Sequence, residues 1–517
     1  ATSSMVAVLA LLLTFSLATS ASVHESFLQC LGSEPSTPLY TPNTSSYTSV
    51  LQFSVRNFRF STSSTPKPDL IVTPLDESQV QAVVVCSRKH GLMMKIRSGG
   101  HDYEGLSYVS DVPFIILDLI NLDSISVDAN KGTAWVQSGA SIGQLYYRIA
   151  EKSRTYGFPA GVCTTMGVGG HFSGGGYGSL MRKYGVAADH IIDARIVNVD
   201  GKILDRRTMG KELFWAIRGG GGSSFGVVLS WKIRLVPVPP TLTVFRLFKT
   251  LEQGATTLLE RWQYVAHKLP REIFFQVLVR TENSTDGKNT RRIQASFQSV
   301  FLGKAEKLVP IMEQHFPELG LKQDDCIEMS WIQSTLWLLG LPADGSLEVL
   351  LNRSSLTFDT FKAKTDYVTE PISVAGIEGV WKFVLEQNRP LLLLTAYGGR
   401  MSKIPESSIP FPHRKGNLYK LAQVVYWEGE GTEEINWIRR LNRYLTPYVS
   451  KSPRATYVNY NDLDLGQSKN GTSSYSAARA WGNKYFKNNF DRLVKVKTKV
   501  DPDNFFRNAQ SIPTSVK

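Results

Sequence analysis

Nine glycines fall between Gly157 and Gly178, in the run GFPAGVCTTMGVGGHFSGGGYG. So many glycines in a folded region mean backbone that comes close to something flat or anionic, or that adopts positive φ angles. A dinucleotide pyrophosphate supplies both reasons; a glycine-rich structural loop supplies the second alone. The spacing does not match GxGxxG after a strand, which disfavours a Rossmann site. Inside the run sits Cys163, a thiol that becomes a nucleophile once deprotonated. A second element, Arg97-Ser98-Gly99-Gly100-His101, puts an imidazole at the end of a tight turn that follows a strand. A third, Arg218 to Gly226, is again rich in glycine. A lone His or Cys is usually structural, but the three segments together are hard to explain as packing alone.

The elements that must position these residues are readable in outline. Asp69 to Val72 reads as a short strand, Glu77 to His90 as a helix, and Lys95-Ile96-Arg97 as a second strand. Phe114 to Leu119 and Thr133 to Val136 are further strands, and Ile142 to Glu151 a helix. This alternation puts residues 65–235 in the α+β or α/β class. The stretch Val236-Pro237-Val238-Pro239-Pro240 is a candidate boundary. Beyond it, alternating apolar stretches at Leu242–Leu247, Phe274–Arg280 and Ile293–Phe301 predict antiparallel strands. Helical patterns at Thr256–His267 and Lys304–His315 lie between them. The organisation expected is a leader over 1–21, a first domain over 22–236 and a sheet-based domain over 237–448.

Composition sets the context. The 517 residues carry 58 Lys+Arg against 45 Asp+Glu, a net charge of +13. The basic residues are scattered apart from Lys484 to Lys499, which alternates with apolar residues and reads as a half-exposed surface segment rather than a nucleic-acid tail. No nucleic-acid role is expected. Val6 to Leu17 is an apolar run followed by small residues, the pattern of a secretory signal peptide, too short to span a bilayer. No later run is long enough to cross a membrane, so a secreted, extracellular or vacuolar protein is expected. Sequons at Asn43, Asn283, Asn352 and Asn470 agree with glycosylation in that compartment. Of the four cysteines, Cys30 and Cys86 are able to bridge in an oxidising compartment. Should Cys163 be taken up by chemistry of its own, Cys326 is left free and buried. No Cys/His spacing of the zinc type is present, and no metal is expected.

The chain resembles the berberine bridge enzyme-like family of plant FAD-linked oxidases. The resemblance rests on Phe27-Leu28-Gln29-Cys30-Leu31, on Arg97 to His101, and on Gly170-His171-Phe172-Ser173-Gly174-Gly175-Gly176-Tyr177-Gly178. It continues in Asn459-Tyr460, Asp462-Leu463-Asp464, Val500-Asp501-Pro502 and Asn504-Phe505-Phe506-Arg507-Asn508. It implies an α+β fold: a two-part FAD-binding domain of the vanillyl-alcohol-oxidase type plus a substrate domain whose antiparallel sheet is covered by helices. Residues 449–517 would return to the FAD domain. It further implies FAD held by two covalent bonds, from His101 to the flavin 8α-methyl and from Cys163 to C6. Arg97, Ser98, Gly99, Gly100, Gly167, Gly169, Gly170, His171, Gly174, Tyr177 and Asn504 would line the cofactor, and Cys30 and Cys86 match the family's disulfide. Double attachment would raise the flavin's potential and keep it beside an open cleft.

Three positions bear on the reaction. Tyr460 matches the tyrosine that acts as base in many relatives, a role that needs its phenol lowered from about 10 by a nearby cation. Lys183, beside Tyr184, and Lys420 are the candidates, with Tyr184 a further catalytic candidate. Ala422 stands where relatives carry Gln, Glu or a bulky residue, and Asn461 where many have Arg. Met166 occupies the position where Val goes with oxygen access. The leading expectation is hydride transfer from a phenolic or alcoholic plant metabolite to flavin N5, with O2 as acceptor and oxidative cyclisation as a further step. The alternative is a non-redox FAD-dependent cyclase such as a Diels–Alderase. A third reading is a flavin-carrying glycoprotein without turnover. A monomer is expected, with Tyr397, Trp331 and Trp337 as aromatic candidates for the cleft.

Overall fold

A computed structural model describes residues 25–32, 37–283, 291–354, 359–468 and 474–515. The apolar leader and the sequon at Asn470 lie outside the described residues. The first unit holds two small sheets. In one, the order is Leu39–Tyr40, Leu70–Val72, Phe114–Asp118 and Met93–Arg97, with the last three parallel. Parallel neighbours need a crossover, and the helix Glu77–Lys89 supplies it between Leu70–Val72 and Met93–Arg97. Asp76 caps that helix, its carboxylate accepting from the Gln79 backbone N–H at 3.0 Å. Every residue of Phe114–Asp118 is buried, as a parallel strand covered on both faces requires. The second sheet is antiparallel, in the order Ile125–Asp128, Thr133–Gln137, Val227–Arg234, Ile191–Val197 and Ile203–Leu204.

The disulfide joins Cys30 to Cys86 and so ties the segment at 25–31 to the helix Glu77–Lys89. Cys326 is free but only partly buried, at the start of the edge strand Cys326–Met329, and burial beside Asp325 and Glu328 pushes its thiol up to about 11. The Lys484–Lys499 segment is also more internal than its charge suggests. It forms parts of the helices Tyr475–Phe486 and Phe490–Val500, and Lys497 is fully buried. The Lys497 ammonium donates to Asp501 at 2.5 Å and to the carbonyls of Ser224 and Phe506 at 2.7 and 2.6 Å. These two helices share the core of the first unit, where Trp481, Phe490 and Leu493 cluster with Phe214, Trp215 and Ile217.

The second unit is a seven-stranded antiparallel sheet. Its order is Cys326–Met329, Leu242–Thr250, Arg291–Phe301, Ile273–Asn283, Pro390–Ala396, Tyr419–Trp427 and Thr360–Val368. Side chains alternate across such a sheet. On Ile273–Asn283, Phe275, Val277 and Val279 join a core with Trp262, Trp381 and Trp437, contributed by the helices Ala255–Val265, Val374–Glu386 and Thr432–Tyr444. Phe274, Gln276, Leu278 and Arg280 therefore face the other way, into a cleft against the first unit.

A buried ionic network fastens the units together. Lys362 and Lys364, on Thr360–Val368, both bond Asp462, at 2.7 and 2.5 Å, and Lys364 also bonds Asp464 at 2.7 Å. Lys362 further pairs with Glu104, three residues after His101, and Arg59 pairs with the same carboxylate. Among the described residues no helix is long and apolar enough to cross a membrane, and no group of His, Cys, Asp or Glu is placed to hold a metal ion.

Candidate active site

The cleft between the two units has a volume of about 700 Å³. Its first wall is built by the close approach of two glycine segments. A Cβ on Gly99 would lie 2.2 Å from the Gly167 backbone nitrogen, and one on Gly167 would lie 2.1 Å from Ser98 Oγ. Only glycine permits this contact. It brings the His101 turn against the loop carrying Cys163. Thr165 then links the two: its hydroxyl lies 2.8 Å from His101 Nε2 and 3.6 Å from Cys163 Sγ. Cys163 is exposed to the cleft. Burial, together with the nearby charge of Arg56, lowers the His101 imidazole to about 3, so it is neutral.

His171 also lines the cleft, where its Nε2 accepts the Gly161 backbone N–H at 2.9 Å and so braces the Cys163 loop. Burial and the charge of Lys420 lower His171 to about 4. Ser98 Oγ is fastened to the Ser138 carbonyl at 2.5 Å. Gly100, Gly169, Gly174 and Tyr177 line the cleft as well. Gly170 and Gly221 face open space, with nothing within 4 Å of the point where a Cβ would stand. Such a groove of bare backbone is what a dinucleotide needs for close approach.

Several expected residues sit elsewhere. Arg97 is fully buried and spent on structure, its guanidinium bonded to Asp118 at 2.9 and 2.6 Å and to the carbonyls of Leu51 and Val50. It fixes the turn from behind. Asn504 does not line the cleft, whereas Arg507 and Asn508, in the same loop, do. Tyr184 is turned away, its hydroxyl donating to the Pro237 carbonyl, and the adjacent Lys183 lies 3.8 Å from Glu272.

The tyrosine that meets Tyr460 is Tyr177, with the two hydroxyls 2.6 Å apart. Tyr103 stacks on Tyr460, the ring centroids 4.7 Å apart and the planes 9° from parallel. Lys420 lies beneath the group. Its ammonium is 3.4 Å from the Tyr177 ring centroid, 4.3 Å from that of Tyr460 and 5.2 Å from that of Tyr457. It is fully buried and has no hydrogen-bond partner among the described residues, and burial lowers it well below the usual lysine range. The three ring faces favour its charged form. Burial raises the Tyr460 phenol, and hydrogen bonds from Tyr177 and Tyr103 oppose that rise. Burial raises the Tyr177 phenol as well.

Asn461 holds Asp102 through its amide at 3.0 and 3.1 Å. Met166 lines the cleft with its Sδ-methyl over Gly161. Ala422 is buried in the sheet and does not line the cleft. Trp331 and Tyr397 are core residues, and Trp337 stacks under Arg246 at 4.4 Å. The sequence reading missed Tyr103, Thr165 and Arg56. The first two sit two residues after His101 and Cys163, a spacing that could have flagged them; Arg56 carries no local signal.

Family comparisons agree with this geometry. The FAD binding domain family matches residues 68–206, which contain both the His101 turn and the Cys163 loop. The family described as berberine and berberine like matches residues 456–513, which contain Tyr460. A tetrahydroberberine oxidase of Berberis wilsoniae is 58% identical over 510 residues, covering 97% of this chain and 96% of that protein. The chain belongs to the berberine bridge enzyme-like family. Another member, a monolignol oxidoreductase of Arabidopsis thaliana, is 50% identical over 508 residues, covering 96% of this chain and 94% of its own. The solved structure of berberine bridge enzyme-like 28 from Arabidopsis thaliana superposes with a TM-score of 0.90 at 48% identity, covering 95% of this chain and all of that one. The α+β two-domain FAD-binding fold is thus shared with solved members. As a berberine bridge enzyme-like protein, the chain is an FAD-linked oxidoreductase.

Proposed function

We propose that the enzyme oxidises a phenolic or alcoholic plant metabolite, with FAD attached through both His101 and Cys163 and O2 as the final electron acceptor. The observation that carries this reading is the Tyr177–Tyr460 pair over a buried Lys420, in the same cleft as the two candidate anchors. With Nε2 engaged by Thr165, Nδ1 is the His101 nitrogen left for attachment, and the neutral ring keeps its lone pair. The bound flavin supplies a two-electron acceptor. Tyr177 donates to the Tyr460 oxygen and so leaves that oxygen as the acceptor for a substrate hydroxyl proton. Lys420 stabilises the phenolate that results. The stacked Tyr103 fixes the Tyr460 ring and helps shield this proton transfer from water. The relatives are named for oxidations, which does not favour the cycloaddition reading. The leader and the exposed sequons at Asn43, Asn283 and Asn352 support passage through the secretory pathway as a glycoprotein.

Two measurements test this. Acid precipitation should leave the yellow colour on the protein, and Cys163→Ala should leave a singly attached flavin; free FAD in the supernatant of the unmodified enzyme would overturn double attachment. Anaerobic addition of a substrate such as a monolignol or a tetrahydroprotoberberine should bleach the flavin, and air should restore it with hydrogen peroxide. Product formation without bleaching would overturn the oxidation.

A further inference from the structure

The sheet that forms the second wall of the cleft carries a polar row in strict cross-strand register. Arg246 pairs with Gln298, Gln298 with Gln276, Gln276 with Thr395, and Thr395 with Lys420. Directly paired residues share a face, so this row runs from Lys420, under the tyrosines, across five strands to Arg246. Apolar side chains flank it: Phe274 on one side, Leu278 and Leu393 on the other, all lining the cleft. A polar row flanked in this way is an address for matching polar atoms, because a buried polar group left unpaired is costly.

Two members of the stripe face the cleft with hydrogen-bonding capacity unspent. Gln276 is 8% exposed, and no hydrogen bond to its carboxamide is made among the described residues. Gln298 is 4% exposed, and its Oε1 accepts from Arg246 Nε at 2.9 Å. Arg246 is itself held by the Trp337 ring at 4.4 Å and the Trp337 carbonyl at 3.3 Å. That grip fixes the orientation of the Gln298 amide, so its NH2 group is the part left for a ligand. Neighbouring strands are about 4.8 Å apart, which places Gln276 about 10 Å and Gln298 about 14 Å from the Lys420 row position.

We infer that the substrate is an elongated, largely apolar molecule that presents a hydroxyl or oxidisable carbon to Tyr460 and carries acceptor oxygens at its far end. Those oxygens, of the ether, phenol or carbonyl kind, are bound by Gln298 and Gln276. This rests on the oxidase reading above and adds the shape and polarity of what is oxidised. Gln276 and Gln298 are specificity residues; they touch no reacting atom.

The test uses the flavin-loaded enzyme and matched probes: coniferyl against cinnamyl alcohol, and tetrahydroberberine against its scaffold stripped of ring oxygens. Half-saturation for anaerobic flavin reduction should be about tenfold lower for the oxygenated member of each pair. Gln298→Leu should erase that advantage, the half-saturation of the oxygenated member rising about tenfold to meet that of its partner. Gln298→Glu, which keeps the volume but offers only acceptors, should erase it too, with an unshifted flavin spectrum reporting an intact fold. Equal half-saturation for both members in the wild-type enzyme, or an advantage that survives both variants, would overturn the stripe. Failure of every probe to reduce the flavin would instead overturn the oxidase reading on which it rests.

Discussion

Replacing Lys420 by Met tests the proposed base directly. The ammonium lies 4.3 Å from the Tyr460 ring centroid and has no hydrogen-bond partner among the described residues, so what it offers that phenol is charge and ring contact. A unit charge about 5 Å from the phenolic oxygen, at an effective dielectric near 20, is worth about 3 kcal/mol, or about two pKa units. Met keeps the volume and the apolar stem, so packing changes little. The ascending limb of the pH profile for anaerobic flavin reduction should move up by about two units, and the rate at pH 7 should fall about 100-fold. Stopped-flow absorbance from pH 6 to 10 reads both quantities. Tyr460→Phe should lose the limb altogether. Burial pulls Lys420 toward its neutral form, and the outcome decides which influence wins. A limb that stays in place in Lys420→Met, with the rate lowered equally at every pH, would show that Lys420 carries no proton and refute its role.

Other expectations concern the scaffold. Cys30→Ser opens a bridge between positions 56 residues apart; loop entropy puts the loss at about 4 kcal/mol, to be read as a drop in the denaturant midpoint, and an unchanged midpoint would show that the N-terminal segment is held by other contacts. Acid should weaken the fold before the carboxylates titrate. His171 is lowered to about 4 and His413 well below its usual value, both chiefly by burial, so between pH 6.5 and 5 the unfolded chain takes up protons that the native one refuses. Stability therefore falls as pH falls through that window, by roughly 3 kcal/mol for the two groups together. Denaturant titrations at four pH values check it, and His413→Asn should remove about half of the slope.

How much of this was legible beforehand differs between the two walls of the cleft. The first wall was written in residue types: glycines at positions where a Cβ has no room, with a His and a Cys between them. The strands Leu242–Thr250, Ile273–Asn283 and Arg291–Phe301 were visible because polar and apolar residues alternate along them. Pro390–Ala396 was not, because its first five residues, PLLLL, are an unbroken apolar run that no period resolves. Thr360–Val368 hid for the opposite reason: Lys362, Lys364 and Asp366 read as a solvated face, yet all three are buried and paired with groups far away in sequence. Tyr184 drew attention through its neighbour Lys183, but the turn of the chain at Gly185 (φ 95°) and the bond to Pro237 point it outward. Tyr177 passed as a cofactor contact because nothing local shows that it reaches a residue 283 positions later. Pairings of that range are set by the sheet and the returning C-terminal segment, not by any window of sequence.

The lysines of Thr360–Val368 have a consequence for how the protein is divisible. Domain boundaries drawn at Pro237 or near residue 448 describe the order of the chain, but the charges that would be stranded by cutting there lie on both sides. Freed from Glu104, Asp462 and Asp464, Lys362 and Lys364 would be two cations in a dry wall; freed from the lysines, those carboxylates would surround the base of the His101 turn with uncompensated negative charge. Neither half is a sound object alone. The ledge that carries His101 and the sheet that would select the substrate are thus one piece of architecture, inherited and lost together, and recombining sheets between relatives would require carrying the 462–464 loop and Glu104 along with the strand.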